Sequence, residues 1–210
     1  LINISQEIEF LEDVFMHKGV THPSAVCKTD YGIAWVNKLG CYFYNGQRVD
    51  NLLEKDGRQI IKESDWNNFT TDNSMIGYLP KKRQLIVSRD NRNTFTLTGS
   101  INPTGTNVLV PGSGTKFLTE LIVGDSILVS TETRIVDSIK TDILATVSVA
   151  WGSDLADDTS PECLPSGNIF LYDMVTQSWV RGDSALTDGV SRTNFVTDWN
   201  NDLIWTHTSD

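Results

Sequence analysis

The chain has 210 residues, enough for one hydrophobic core or for one core and a smaller satellite. Its content of 39% hydrophobic and 21% charged residues is that of an ordinary globular protein. The formal charge of −10 argues against nucleic-acid binding and against attachment to anionic membranes, because both need clustered Lys and Arg side chains.

Three short apolar runs open the β-rich part of the chain, at Ala25–Lys28, Ile33–Val36 and Tyr42–Tyr44. Turn sequences separate them, and Asn45-Gly46 supplies the positive φ angles of a tight hairpin turn. Gln47–Leu53 follows as a fourth strand. This spacing predicts a four-stranded antiparallel meander.

The next segment predicts a short helical turn near Glu63–Asn68 and then a second meander. Its first two strands are Met75–Leu79 and Gln84–Ser88, joined by a basic hairpin turn at Lys81–Arg83. A third strand is expected after Asp90, by analogy with the first meander, but sequence rich in Thr and Gly follows instead. The second meander is therefore expected to be interrupted.

The interrupting segment, residues 92–160, predicts a separate β-module. Strand-like runs alternate with Gly, Pro and Asp turns in this part of the chain. They lie near Val108–Val110, Ser126–Ser130, Arg134–Ile139 and Leu144–Ala150. A small β-barrel or β-sandwich is the natural way for such short strands to enclose a core.

The second meander resumes at Ile169–Asp173, where Phe170–Asp173 matches the pattern of Tyr42–Asn45. The sequence therefore predicts that Ile169–Asp173, which follows the inserted module in the chain, pairs into the same sheet as Gln84–Ser88, which precedes it. A third unit then begins, with strands expected at Asn194–Val196 and Leu203–Trp205.

Repeats of roughly 45–50 residues, each a four-stranded meander, are typical of β-propeller blades. The predicted fold class is all-β, with propeller-like blades at 1–91 and 161–210 in one domain and the inserted module at 92–160. Because about four blades are needed to close a ring, and because the first residue is Leu1, we expect a partial or processed chain.

Candidate chemistry is sparse. His17, His22 and His207 are widely spread and none has a ligand partner at i+2 or i+4, which predicts no histidine metal site. The acidic segment Ser153–Glu162 is expected to be a solvated linker, with a Ca²⁺ loop as the alternative. Because no catalytic or cofactor-binding motif occurs, we predict that the protein is not an enzyme and has no catalytic, cofactor-binding or metal-binding residues.

Cysteine and tryptophan side chains are assigned mainly to packing. Cys27 and Cys41 lie in strand-like runs without a CxxC spacing, which predicts reduced thiols in the core. The tryptophans within strands are expected to pack between blades: Trp35, Trp179 and Trp205. Those near turns or module edges are Trp66, Trp151 and Trp199. Of these, Trp151 and Trp199 are the candidates for stacking on a ligand such as a sugar.

Four motifs follow one another in the inserted module: "GSGTKF" (Gly112–Phe117), "ELIVGDSILV" (Glu120–Val129), "TRIVDSI" (Thr133–Ile139) and "DILATVSVAW" (Asp142–Trp151). Their succession is similar to a small β-module that recurs in virion proteins of tailed bacteriophages, often as an insertion. The resemblance covers Val108–Trp151, about a fifth of the chain. The flanking repeat resembles the propeller-type scaffolds of phage tail nozzle and tail accessory proteins.

This resemblance implies a non-enzymatic structural role in a phage particle, in the tail or as a tail accessory component. The chain is then expected to be made in the host cytoplasm, to reside in the virion and to contact other virion proteins or further copies of itself. Neither a nucleic-acid partner nor membrane insertion is expected. The alternative function is that of a tail adhesin that binds a receptor or a host surface glycan.

Overall fold

The computed structural model describes residues 2–4, 9–11, 16–192, 194–205 and 207–208. Among these residues, antiparallel strands form several sheets, and the helical segments are short. The helical segments are the α-helices Glu63–Phe69 and Phe117–Glu120 and the 3-10 turns Pro23–Ala25 and Pro80–Lys82. The predicted all-β class is confirmed, as is the helical turn predicted near Glu63–Asn68.

The two parts of the chain that flank the inserted module are here called the host, and the module itself is called the insert. The first host sheet is a four-stranded antiparallel meander, as predicted. Asn45 and Gly46 form its last turn. The side-chain oxygen of Asn45 accepts hydrogen bonds from the backbone N–H groups of Gln47 and Arg48, both at 3.0 Å. Gly46 has a φ of 94°, a conformation that glycine adopts without strain. The strands of this sheet are Val26–Thr29, Gly32–Asn37, Gly40–Tyr44 and Val49–Asn51.

The second host sheet is assembled from two distant parts of the chain. Its strands, in spatial order, are Met75–Leu79, Gln84–Ser88, Ile169–Asp173 and Ser178–Gly182. Val87 lies opposite Phe170 where the two middle strands pair. The pairing predicted across the inserted module is therefore confirmed. The basic residues Lys81–Arg83 form the first turn of this sheet, also as predicted.

The segment between the two halves forms a seven-stranded antiparallel sheet, here called the insert sheet. Its two edge strands, Phe95–Thr96 and Ser100–Ile101, are close neighbours in the chain, and Ile101 also forms a β-bridge to Asp158. The two edges of the sheet therefore lie near each other, and this open sheet curls around its own core. The strands, in spatial order, are Phe95–Thr96, Glu162–Leu164, Ser126–Val129, Glu132–Thr141, Leu144–Val147, Leu109–Ser113 and Ser100–Ile101. The more detailed description as a barrel or sandwich stays a prediction, as do the domain boundaries.

Several two-stranded pairs complete the described structure. In the C-terminal hairpin, Val196–Thr197 pairs with Leu203–Ile204, close to the two strands predicted for a third unit. The other pairs are Ile2–Ile4 with Glu9–Leu11, Glu54–Lys55 with Arg58–Gln59, and Ser191–Arg192 with His207–Thr208.

The C-terminal hairpin packs against the second host sheet at Gly77. A Cβ atom at this position would lie 2.6 Å from the Cβ of Phe195, so the close approach requires glycine. Successive side chains of a strand point to opposite faces, and those of Ile76 and Tyr78 belong to the host core. The hairpin and the first host sheet therefore lie on opposite faces of the second host sheet.

The two host sheets and the helix Glu63–Phe69 share one hydrophobic core. Cys41 is fully buried in it and Cys27 packs against it, which confirms their predicted place in the core. Burial raises the pKa of Cys27 to about 12. Other buried members are Ala34 and Val36 of the first sheet, Tyr78, Leu85, Val87 and Tyr172 of the second, and Trp66 and Phe69 of the helix.

Tyr78 joins the two host sheets by a hydrogen bond that phenylalanine cannot make, because its hydroxyl donates to Asp30 Oδ2 at 2.9 Å. Tyr78→Phe is expected to lower the free energy of unfolding by about 1 kcal/mol. Burial and this hydrogen bond raise the pKa of Tyr78 from 10.0 to about 12. The stabilising effect is therefore present below pH 10 and is lost as the pH rises towards 12. Urea unfolding of both proteins at pH values of about 8 and about 11 measures this, and an unchanged difference would contradict it.

Candidate functional site

The insert and the second host sheet meet at a group of charged side chains, here called the junction cluster. Its members are Arg89, Asp90, Arg92, Asp125 and Arg192. Arg89 and Asp90 directly follow the strand that ends at Ser88, where the chain leaves the host, and both are almost fully buried. Buried charges are unfavourable unless they are paired, so their partners determine whether this arrangement is stable.

Asp90 is held from both sides of the insert. The Arg92 guanidinium lies 2.9 Å from Asp90 Oδ2, and the backbone N–H of Arg92 donates to Asp90 Oδ1 at 2.9 Å. Arg192, which follows the host sheet in the chain, donates to the backbone carbonyl of Asp90 at 3.4 Å and also to that of Thr187. Asp90, where the chain leaves the host sheet, is thus hydrogen-bonded to Arg192, which follows the last strand of that sheet.

Arg89 and Asp125 form the pair that joins host and insert. Arg89 Nη2 lies 3.8 Å from Asp125 Oδ1 and donates to the carbonyl of Val123 at 2.5 Å. Asp125 has no exposed surface and accepts hydrogen bonds from the backbone N–H groups of Ile122 and Ser166, both at 3.2 Å. Burial raises the pKa of Asp125 and lowers that of Arg89, while each residue favours the charged form of the other.

Further hydrogen bonds connect the insert to the returning chain. The backbone N–H of Arg89 donates to the carbonyl of Asn168 at 3.0 Å. Asp188 accepts a hydrogen bond from the Gly167 N–H at 2.7 Å and another from the Ser126 hydroxyl at 3.4 Å. The insert is therefore attached to the host by many groups in addition to its two covalent connections.

A cleft of about 700 Å³, here called the junction cleft, opens between host and insert. Residues of the helix Glu63–Phe69 line its host side, and Leu121–Gly124 and Ile139 line its insert side. Arg89 contributes to the lining from the junction cluster. Gly124 makes room for it, because a Cβ atom there would lie 2.5 Å from Arg89 Nη1.

The junction cleft is cationic although the chain as a whole is acidic. Lys38, Arg89 and Arg181 line it, and among its described lining residues Asp65 is the one carboxylate. Within the part of the chain that the structure describes, the buried Nε of Arg89 has no hydrogen-bond partner. Each of these cations has a carboxylate near it, Asp72 for Lys38, Asp125 for Arg89 and Asp183 for Arg181, so the group left for an anion is the unpartnered Nε of Arg89.

Trp151, a predicted ligand-stacking residue, lies in the core of the insert with 1% of its surface exposed. Its indole N–H donates to the carbonyl of Leu109 at 2.9 Å, and the Arg134 guanidinium lies over its ring at 5.5 Å. This burial leaves no ring face for a ligand and argues against the predicted role. Trp199, the other candidate, is 91% exposed in the turn of the C-terminal hairpin, so its role stays a prediction. Neither side chain lines the junction cleft.

Most residues of the acidic segment Ser153–Glu162 are exposed, as expected for a solvated linker, and two of its carboxylates accept hydrogen bonds from other parts of the insert. Asp154 accepts a hydrogen bond from the Gly105 N–H at 2.6 Å, and Asp158 accepts one from the Ser130 N–H at 2.5 Å. Across the described ranges, no group of three or more His, Cys, Asp or Glu residues is placed to hold a metal ion. The side chain of His207 lies outside the described part of the structure.

Sequence patterns did not reveal the junction cluster. One local signal was available, because Arg89 and Asp90 come just after the apolar run Leu85–Val87 and Ser88, all of which are buried. Gly124-Asp125 is a Gly-Asp sequence of the kind that predicts a turn, and the hydrogen bond from the Ile122 N–H to Asp125 agrees with one. Nothing in the local sequence indicates that Asp125 also pairs with Arg89 of the host.

Comparison with protein-family models, with curated proteins and with solved structures found no match for this chain. Within the described residues, no helix combines the length and the apolar composition needed to cross a bilayer. The structure thus defines a class, an all-β protein with a split host sheet, and one candidate site, the cationic cleft at the junction of host and insert.

Proposed function

We propose that the chain is a non-enzymatic structural component of a bacteriophage particle, in the tail or as a tail accessory protein. The observation that carries this proposal is the attachment of the insert by buried charges, with Arg89 of the host paired to Asp125 of the insert. A module held in this way presents its surface in one orientation. Pre-ordered surfaces form contacts between subunits without an additional loss of conformational entropy.

The host is proposed to be part of a β-propeller. In support, two four-stranded antiparallel sheets pack face to face through one core, as neighbouring blades do. The C-terminal hairpin packs on the opposite face of the second sheet, where a third blade would lie.

Other virion proteins are the proposed partners, with self-association as a second option, and the proposed location is the virion after synthesis in the host cytoplasm. No cofactor, nucleic-acid partner or membrane insertion is proposed. Exposed apolar side chains of the insert support a protein partner, because contact would remove them from water. They include Val108, Leu109, Leu118, Ile135, Ile143 and Val149.

Amine-reactive crosslinking with mass spectrometry, applied to purified phage particles, tests the structural role. Lys116 and Lys140 are exposed on the insert, and Lys62 and Lys82 are matched exposed controls on the host. We expect crosslinks from the two insert lysines to another virion protein, in higher yield than from the controls. If the chain is absent from purified particles, or its insert lysines form no such crosslinks, the proposal is wrong.

A receptor- or glycan-binding tail adhesin is the second candidate, and the exposure of Trp199 favours it. An indole ring with 91% of its surface exposed in a hairpin turn has its faces open to stacking on a sugar. A glycan array distinguishes the two functions. Binding that is lost in Trp199→Ala and kept in Tyr31→Ala, another exposed aromatic residue, favours the adhesin. Absence of binding to every glycan favours the structural role.

A further inference from the structure

The side chain of Arg89, which lines the junction cleft, has a buried hydrogen-bond donor without a partner among the described residues. Arg89 is 3% exposed and lines this cleft, and the described structure provides no partner for its Nε. The Nη2 of Arg89 donates to the carbonyl of Val123. The distance of 3.8 Å from this Nη2 to Asp125 Oδ1 is longer than a hydrogen bond. Burial of a donor without a partner is unfavourable, so an acceptor brought by a ligand would be stabilised here.

A second cation acts on the same space. Arg181 also lines the cleft, and its charge adds to burial in lowering the pKa of Arg89. Its Nε donates to Asp183 at 2.7 Å, and its side chain is 56% exposed. Asp125 and Asp90 act on the Arg89 pKa in the opposite direction and more strongly, so repulsion from Arg181 is a smaller contribution, which an anion between the two guanidinium groups would relieve. Planar guanidinium groups bind carboxylates with two parallel hydrogen bonds, which favours a carboxylate as this anion.

The walls of the cleft favour a peptide over a saccharide. Leu121, Ile122, Val123 and Ile139 give its insert side an aliphatic surface, and half of the Val123 surface is exposed. Phe69, the one aromatic residue among its described lining residues, is 5% exposed and offers little ring surface to a sugar. Arginine clusters beside apolar surface are a known means of binding acidic peptide motifs.

We propose that the junction cleft binds an acidic side chain, flanked by aliphatic residues, from an extended segment of a neighbouring protein. Arg89 and Arg181 bind the carboxylate, and the wall at Leu121–Val123 contacts the aliphatic neighbours. This inference rests on the proposed structural role, since it states the chemistry by which the chain recognises a partner in the particle. It also accounts for a cationic cleft in a chain with a net charge of −10.

The test is an NMR titration of the ¹⁵N-labelled chain with the peptide Ac-Gly-Leu-Glu-Ile-Gly-NH2, its Gln-containing counterpart and sialyllactose. We expect saturable shifts of the backbone signals of Asn67, Asn68 and Val123 with the acidic peptide and none with the neutral one. Arg181→Gln and Val123→Asp are each expected to weaken binding about tenfold or more. Arg58→Gln, which alters an exposed arginine outside the cleft, leaves binding unchanged.

Three outcomes overturn the inference. They are no binding of the acidic peptide, equal binding of both peptides, or binding of sialyllactose alone at these residues, which assigns the cleft to acidic glycans. Folding is checked by the unchanged spectrum of each variant away from the cleft, and both substituted side chains are at least half exposed. Crosslinks to virion proteins without peptide binding would contradict this inference and leave the structural role intact. Peptide binding by a chain that is absent from purified particles would contradict the structural role and leave the peptide-binding chemistry of the cleft intact.

Discussion

Trp66→Ala is expected to lower the free energy of unfolding by about 3–5 kcal/mol, the range for removal of a fully buried aromatic side chain. Trp66 has no exposed surface and lies between the two host sheets. Its indole N–H donates to the carbonyl of Asn37 in the first sheet at 2.9 Å. Its ring lies 5.9 Å from that of Phe170 and 5.5 Å from that of Trp179, both in the second sheet. Alanine removes these contacts and leaves a cavity where the sheets meet.

Urea unfolding followed by far-ultraviolet circular dichroism measures this loss, and Trp199→Ala is the matched control. Because 91% of the Trp199 surface is exposed, its replacement is expected to change the free energy of unfolding by less than about 0.5 kcal/mol. Equal effects of the two substitutions would show that Trp66 does not join the sheets. A large effect of Trp66→Ala alone supports a single host core built from both.

The host sheets could be predicted because their signals are local and repeated. Asn45-Gly46 marks a hairpin turn by backbone chemistry alone, and the turn has the expected positive φ at Gly46. The long-range pairing of Val87 with Phe170 was inferred from repetition, since the second unit lacked a third strand until Ile169–Asp173. No local property of either strand identifies its partner, so without the first meander as a template this pairing could not have been predicted.

The insert shows where strand periodicity stops being informative. Ala145, Val147 and Val149 alternate with polar residues, which predicts that all three lie on one face. Ala145 and Val147 are buried, but Val149 is 63% exposed because the strand ends at Val147. Trp151, four residues beyond that end, returns to the insert core. Its burial depends on the carbonyl of Leu109 and on Arg134, neither of which is a sequence neighbour.

The junction cleft could not be predicted, because its charged residues come from separate elements. Lys38 lies in a turn of the first host sheet, Arg181 in the last strand of the second, and Arg89 directly after the second strand of that sheet. In the sequence these three cations are widely separated from one another. Their proximity depends on how the insert packs against the host, and no sequence period encodes that packing.

Asp125→Ala is expected to lower the free energy of unfolding by about 3–5 kcal/mol, because it leaves the buried charge of Arg89 without its partner. Asp125 has no exposed surface, and the Arg89 side chain is 3% exposed. The substitution also removes the acceptor for the N–H groups of Ile122 and Ser166, which holds the returning chain against the insert. Hydrogen exchange is therefore expected to increase both at Ser166 and in the turn at Ile122.

Asp72→Ala is the matched control for that experiment. Asp72 pairs with Lys38 at 3.1 Å, but its side chain is 75% exposed, and exposed ion pairs contribute at most about 1 kcal/mol. If Asp125→Ala destabilises the chain no more than Asp72→Ala does, the buried pair does not attach the insert to the host. The insert would then be free to change its orientation, and the structural role proposed for it would lose its physical basis.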